Sequence, residues 1–366
     1  MSPTPMKSRS QGLRRIAAGL TVAALAAGGC SSNGDDNASS GSDGKTGKAH
    51  VLLVTKDPSN HFWTAMMDGA KTAAKEVNAD ITVAAGRDQT DSDSQIQAIE
   101  DAISRRDDGI LIANNGPAVN DAIKKARDAG IYVIALDTPT DPTNVVDATF
   151  ASDNFEAGKQ IGQWTAQALQ GKPAVIAMLD LFADKVVTID YQRDQGFLTG
   201  MGIDVKDPKK NGDEAKTGNY SGGTYEIACN QATNGAEDGG RTAMENCLSS
   251  NPNINVVFSA NETSGVGAVQ ALKSAGINGA LVTSIDGSCR GVQAVADGQF
   301  GAVAQQYPSR MGDMGVRAIV DHLRDGTKPT TSPGLDFLNT GIQLVTNQNV
   351  TGVESIPADQ GLKLCW

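Results

Sequence analysis

The sequence predicts an α/β fold of two doubly wound parallel-sheet lobes, and three observations carry that expectation. From His50 onward, short runs rich in β-branched residues alternate with longer stretches of helical periodicity, the pattern of βαβ units around a parallel sheet. The alternation restarts in the second half of the chain. Each half also places an Asn and an Asp, 23 or 25 residues apart, at the ends of neighbouring strands: Asn114 with Asp137, then Asn261 with Asp286. In open α/β sheets ligands bind outside the carboxyl ends of the strands.

The elements follow in order. HVLLVTK (50–56) is an apolar run bounded by polar residues and opens the first sheet. Residues 62–77 follow with helical spacing from Phe62 to Met66 and Ala70, and ITVAA (81–85) supplies a second strand. A helix over 94–105 leads to GILIA (109–113), and a helix over 119–129 closes on Ala129-Gly130-Ile131 before IYVIAL (131–136). The second half repeats the theme with AVIAML (174–179), a helix over 238–248, NVVFSA (255–260), a helix over 264–275 closing on Ala275-Gly276-Ile277, and ALVTSI (280–285).

The start of the chain reads differently. Lys7, Arg9, Arg14 and Arg15 precede an apolar run over 16–27, which ends in Gly28-Gly29-Cys30. A basic region, a short apolar region and small residues before a cleavage point make a signal peptide over 1–29. The apolar run is shorter than the roughly 20 residues a membrane span needs. It looks like a bacterial lipoprotein signal, in which Cys30 becomes the acylated first residue, although Ala27 stands where leucine is usual. An ordinary signal peptide with an incidental Cys30 is the alternative. Residues 31–48 hold no large apolar side chain, so 30–48 reads as a flexible tether. Loss of the four basic residues with the signal takes the formal charge from −11 to −15. That surface repels phosphate backbones and argues against a nucleic-acid partner.

Beyond Cys30 stand Cys229, Cys247, Cys289 and Cys365, an even number in an exported chain, which favours disulfides. Three connectivities are open. Proximity favours Cys229 with Cys247, leaving Cys289 to tie down the tail through Cys365, each bridge contributing on the order of 3 to 5 kcal/mol.

Asn60-His61-Phe62-Trp63 opens the first helix directly after the first strand, on the strand-end face. A flat ring there suits the C–H face of a sugar, while helical spacing also lets one ring pack inward. Asn, Asp, Arg and Gln engage hydroxyls in a planar, two-point manner, so Asn60, Asn114, Asp137, Asn261 and Asp286 suit a neutral polyol. No G-x-G-x-x-G follows a strand, and Gly44-Lys45-Thr46 lacks the first glycine of a Walker A motif, Ser39 standing in its place. There is no G-x-S-x-G elbow, and His50, His61 and His322 lack metal-ligand spacing. Asp91 and Asp93 begin like a calcium loop, but Ile96 sits where its turn needs glycine. No enzyme activity, cofactor or metal is expected.

With these residues in place, the chain resembles the periplasmic sugar-binding proteins of the ribose/galactose type, receptors of ABC importers, over about 49–366. The carriers are NHFW (60–63), VIALDTPTDP (133–142), ATFASDNFEAG (148–158), RDQGFLTG (193–200), GGRTAMENCL (239–248), IDGSCRG (285–291) and QQYP (305–308). IGQWTA, IAMLDL, RDQGFLTGMGIDVKDP and the ending LKLCW look most like the fructose-binding subgroup.

The resemblance implies a type I periplasmic binding protein with a three-stranded hinge, crossed near Ser152, Gln306 and Asn339. Its lobes would be 49–152 plus 307–339 and 153–306 plus 340–366. Carried over residue by residue, the ligand contacts fall on Asn60, Phe62, Trp63, Asn114, Asp137, Asn261, Asp286 and Gln306. Around Asp190 to Arg193 the ribose pattern departs: Asp190 and Arg193 both enter the candidate set, with the alternative that Arg193 belongs to the scaffold while Asp190 or Tyr191 touches the ligand. Thr138 replaces an arginine usual after the strand-end Asp, and 219–236 diverges, so no second-lobe aromatic is assigned. The implied protein is a monomer outside the cytoplasm, lipid-anchored to the outer face of the cell membrane or periplasmic. It would deliver a monosaccharide, fructose first, to an ABC permease and its ATPase. Alternatives are a receptor for ribose, xylose, inositol or another sugar or sugar alcohol with a signalling role, and an exported carbohydrate enzyme.

Overall fold

A computed structural model describes residues 47–183 and 186–366. The signal peptide, Cys30 and all but the last two residues of the expected tether lie outside the described residues. In chain order the first half runs β1 (His50–Thr55), α1 (His61–Glu76), β2 (Asp80–Ala85), α2 (Ser92–Arg105), β3 (Gly109–Ile112), α3 (Asn120–Asp128), β4 (Tyr132–Leu136) and β5 (Ala148–Ala151). There follow α4 (Asn154–Ala168), β6 (Ala174–Asp180), α5 (Thr188–Met201), β7 (Thr217–Tyr220), β8 (Gly223–Ala232), α6 (Glu237–Ser250), β9 (Val256–Ser259), α7 (Glu262–Ser274), β10 (Leu281–Asp286), α8 (Cys289–Ala296) and β11 (Ala302–Gln305). The chain ends with α9 (Pro308–Asp325), β12 (Leu338–Asn339), β13 (Gln343–Val345) and α10 (Ala358–Gly361).

Two sheets result. The first has the order β12-β5-β4-β3-β1-β2 with every pairing parallel. The second has the order β13-β11-β10-β9-β6-β8-β7, parallel except at its two edges, where β13 and β7 run antiparallel. Within each sheet the successive parallel strands lie in the spatial order 2-1-3-4-5, so each reverses direction of winding at one point, between β1 and β3 or between β6 and β9. Crevices form at such switch points. The chain leaves the first sheet after Ala151, returns after Gln305 and crosses again after Asn339.

Both faces of each sheet are covered by helices, which explains why β1, β3, β4 and β9 are apolar runs rather than alternating ones. Helices α4 and α5 pack with their backbones in contact. A Cβ built on Gly158 would lie 2.2 Å from the Arg193 carbonyl oxygen, and one on Gly196 would lie 2.2 Å from that of Phe155. Gly162 and Gly200 are as tight, at 2.1 Å, so only glycine lets these backbones touch. The cysteines pair as Cys229–Cys247, joining β8 to α6, and Cys289–Cys365, joining the start of α8 to the tail.

Candidate binding cleft between the two sheets

The residues that matter sit at or just beyond the carboxyl ends of β1, β4, β9 and β10 and on the helices α1 and α5. Asn60 caps α1, its Oδ1 accepting from the Phe62 amide at 2.9 Å, which presents Phe62 and Trp63 at the first turn. Both rings are buried and meet edge to face, centroids 4.8 Å apart. Lys56 Nζ lies 5.4 Å from the Trp63 ring centroid and donates to Thr138 Oγ1 at 2.8 Å. At the ends of β4 and β10 the two aspartates share an uncommon backbone: φ is +63° at Asp137 and +129° at Asp286. Non-glycine residues held there carry strain of the kind that clusters at functional sites.

Seven of the ten expected residues line one cavity of about 20 Å³: Asn60, Phe62, Trp63, Asp137, Arg193, Asn261 and Asp286. Gln89, Leu181 and Ile189 complete its wall. Both sheets contribute, and Asn60 and Asp286 also line an adjoining outer chamber of about 350 Å³ with Ser59, Glu237, Arg290 and Trp366.

The polar wall is braced from behind. Arg193 is held by its Nε donating to Asn154 Oδ1 and its Nη1 donating to the Ala260 carbonyl, both at 2.8 Å, and its Nη1 stands 3.6 Å from Asp286 Oδ1. Asn261 Oδ1 caps α7 by accepting from the Ser264 amide, and its Nδ2 donates to the Gly235 carbonyl. Asp286 accepts from Gln306 Nε2 at 3.0 Å and from the Glu262 amide at 3.2 Å. Burial raises the Asp286 carboxyl to about 7, with Arg193 pulling it back down and Glu262 pushing it further up. Among the described residues, two buried polar atoms of the wall have no hydrogen-bond partner: the donor Trp63 Nε1 and the acceptor Asp137 Oδ1. Such groups are costly unless something satisfies them.

Three expected residues stand outside the wall. Asn114 spends its side chain bracing two loops, Nδ2 donating to the Thr138 carbonyl after β4 at 2.6 Å and Oδ1 accepting from the Gly116 amide of its own loop. Asp190 accepts from the Leu181 and Phe182 amides and fixes the loop after β6. Gln306 reaches the cavity only through Asp286. The alternative at this stretch is reversed in space: Arg193 faces the cavity, whereas Asp190 and Tyr191 line a different surface hollow with Lys209 and Asp141. Gln89 was missed. The available signal was its place in the loop after β2, on the same strand-end face as Asn60.

The comparisons with known proteins agree with this architecture. Residues 51–328 match the model of a family described as periplasmic binding protein domain. The ribose import binding protein of Salmonella typhimurium is 26% identical over 283 residues, covering 77% of this chain and 86% of that protein. The D-apiose import binding protein of Actinobacillus succinogenes is 29% identical over 239 residues, covering 65% of this chain and 70% of that protein. A solved ABC transporter periplasmic solute binding protein from Actinobacillus succinogenes, with bound D-allose, superposes with a TM-score of 0.69 at 24% identity, covering 82% of this chain and 98% of that one, a likeness of fold. A family match over more than half its length, on a two-lobe fold with its polar groups gathered in one cleft, places the chain in the periplasmic binding protein domain family, as a binding protein and not an enzyme.

Proposed function

We propose that the protein is the extracytoplasmic substrate-binding component of an ABC sugar importer, closing its two lobes on one monosaccharide, with fructose the first candidate. One observation carries the reading: a single buried cavity receives planar polar groups and aromatic rings from both sheets, and leaves Trp63 Nε1 and Asp137 Oδ1 unpartnered. A polyol supplies both a hydroxyl oxygen to accept and a hydroxyl proton to donate. A phosphate ester suits the site less, because Asp137 and Asp286 face it with Arg193 the one cation among the described wall residues. Relatives named for ribose and D-apiose import support the ligand class. Fructose rests on the subgroup resemblance in RDQGFLTGMGIDVKDP and LKLCW.

The cavity volume supports hinge closure. About 20 Å³ is space on the scale of one water, so a monosaccharide enters only with the lobes apart and is enclosed as they come together. The permease of the importer would read the closed surface, and acylation of Cys30 would keep the protein beside it. A thermal-shift panel of fructose, ribose, xylose, galactose, inositol and sugar alcohols tests the reading. At a hundred times Kd the true ligand adds about 2.7 kcal/mol of stability. If no member of the panel raises the melting temperature, the sugar-receptor reading fails.

A further inference from the structure

We propose that the last residue, Trp366, is a latch between the lobes that sets how firmly the cleft stays shut, and hence how tightly it holds its ligand. The tail is anchored on the second-sheet side. Cys365 is bonded to Cys289 at the start of α8, and the Cys289 amide donates to the Trp366 carbonyl at 3.1 Å. From that anchorage the indole reaches the other lobe. Its ring meets Phe62 of α1 edge-on, centroids 5.3 Å apart at 84°, and packs against the apolar core that α1 shares with the first sheet.

The same side chain is tied to the chain crossing. Indole Nε1 donates to the Gln306 carbonyl at 2.8 Å, and Gln306 Nε2 donates to Asp286 Oδ1. One residue therefore touches a cleft aromatic of one lobe and the residue that orients the cleft carboxylate of the other. It also lines the outer chamber, which shares Asn60 and Asp286 with the cavity. A hinge motion that parts the lobes pulls the indole from Phe62 while the disulfide keeps it with α8, so the ring contact belongs to the closed form alone. An interaction made in one form only biases the equilibrium between forms, and apparent affinity follows the population of the competent form.

The inference rests on the reading of the cleft as a hinge-closing site, and the experiment separates the two. The full chain is compared with Trp366→Ala, Trp366→Phe and the double variant Cys289→Ser/Cys365→Ser, each checked for fold by circular dichroism. Small-angle scattering of the sugar-free proteins reads the closed population without any ligand. Titration with D-fructose and D-ribose reads affinity.

Trp366→Ala is expected to enlarge the radius of gyration and to raise Kd about two- to tenfold, the range of an edge-to-face aromatic contact. The double Ser variant should behave like it, and Trp366→Phe should recover most of the loss because the ring contact persists. An Ala variant that folds, scatters like the parent and binds the same sugar with unchanged Kd overturns the latch. If neither sugar binds the parent, scattering alone decides: an unchanged radius of gyration in Trp366→Ala rejects the latch, and an enlarged one upholds it.

Discussion

Asp286 holds a carboxyl that burial lifts to about 7, within reach of Arg193 and turned into the cavity. A sugar hydroxyl that donates to the ionised form would draw that pKa down. Affinity should therefore rise with pH through 7 and fall below it by at most about tenfold per unit. Calorimetric titration of the sugar that passes the panel, at pH 5.5 and 8.5, checks the slope, and Asp286→Asn should flatten it. Asp286→Ala should abolish binding while the fold survives; unchanged affinity would remove this residue from the site. Trp63 offers a second test, since its buried indole N–H lacks a protein partner. Trp63→Phe keeps a ring against Phe62 but removes the donor along with part of a buried ring. A loss of at least about 0.5 to 1.5 kcal/mol in binding, the worth of one hydrogen bond, is expected, with a lowered melting temperature from the lost bulk.

The α4–α5 pair leaves no room for a single added methyl group. Cβ atoms on Gly158 or Gly196 meet the facing backbone carbonyls at 2.2 Å, and a backbone in a packed helix pair cannot step aside. Gly158→Ala and Gly196→Ala should each lower the urea midpoint, by about 1 to 3 kcal/mol or more of stability. These helices also show what the sequence left unread. Strands such as GILIA and IYVIAL were legible because both faces are buried and every position is apolar. The long helix α5 was not, because it is buried nearly all round yet carries Asp190, Arg193, Asp194 and Gln195, which erases any apolar stripe. The cleft was legible where strand-end position alone decides, as for Asp137, Asn261 and Asp286. Position does not say where a side chain spends its bonds, and Asn114 and Asp190, whose bonds go to the backbone of neighbouring loops, illustrate the gap.

Across the whole molecule, an acidic chain also buries acids where no bound ligand is expected. Asp180 at the end of β6 and Asp194 of α5 are almost fully enclosed, with Glu214 near them. Burial lifts Asp180 to about 8, with the Asp190 charge raising it further and its hydrogen bond with Asp194 lowering it, and burial with the nearby Asp180 holds Asp194 well above the ordinary carboxylate range. In the unfolded chain the same groups titrate near 4. The folded state therefore binds more protons than the unfolded one between about pH 4 and pH 8, and stability must fall as pH rises through that window. The contribution is complete below the unfolded value and is lost as these carboxyls ionise. Repulsion within a net charge of −11 acts in the same direction. Urea unfolding of the sugar-free protein should thus give a higher midpoint at pH 5.5 than at pH 8.5. Salt screens the surface part of the difference but leaves the buried part. Asp180→Asn should raise the pH 8.5 midpoint and shrink the gap, whereas a variant as pH-dependent as the parent would show that these carboxyls do not govern the profile.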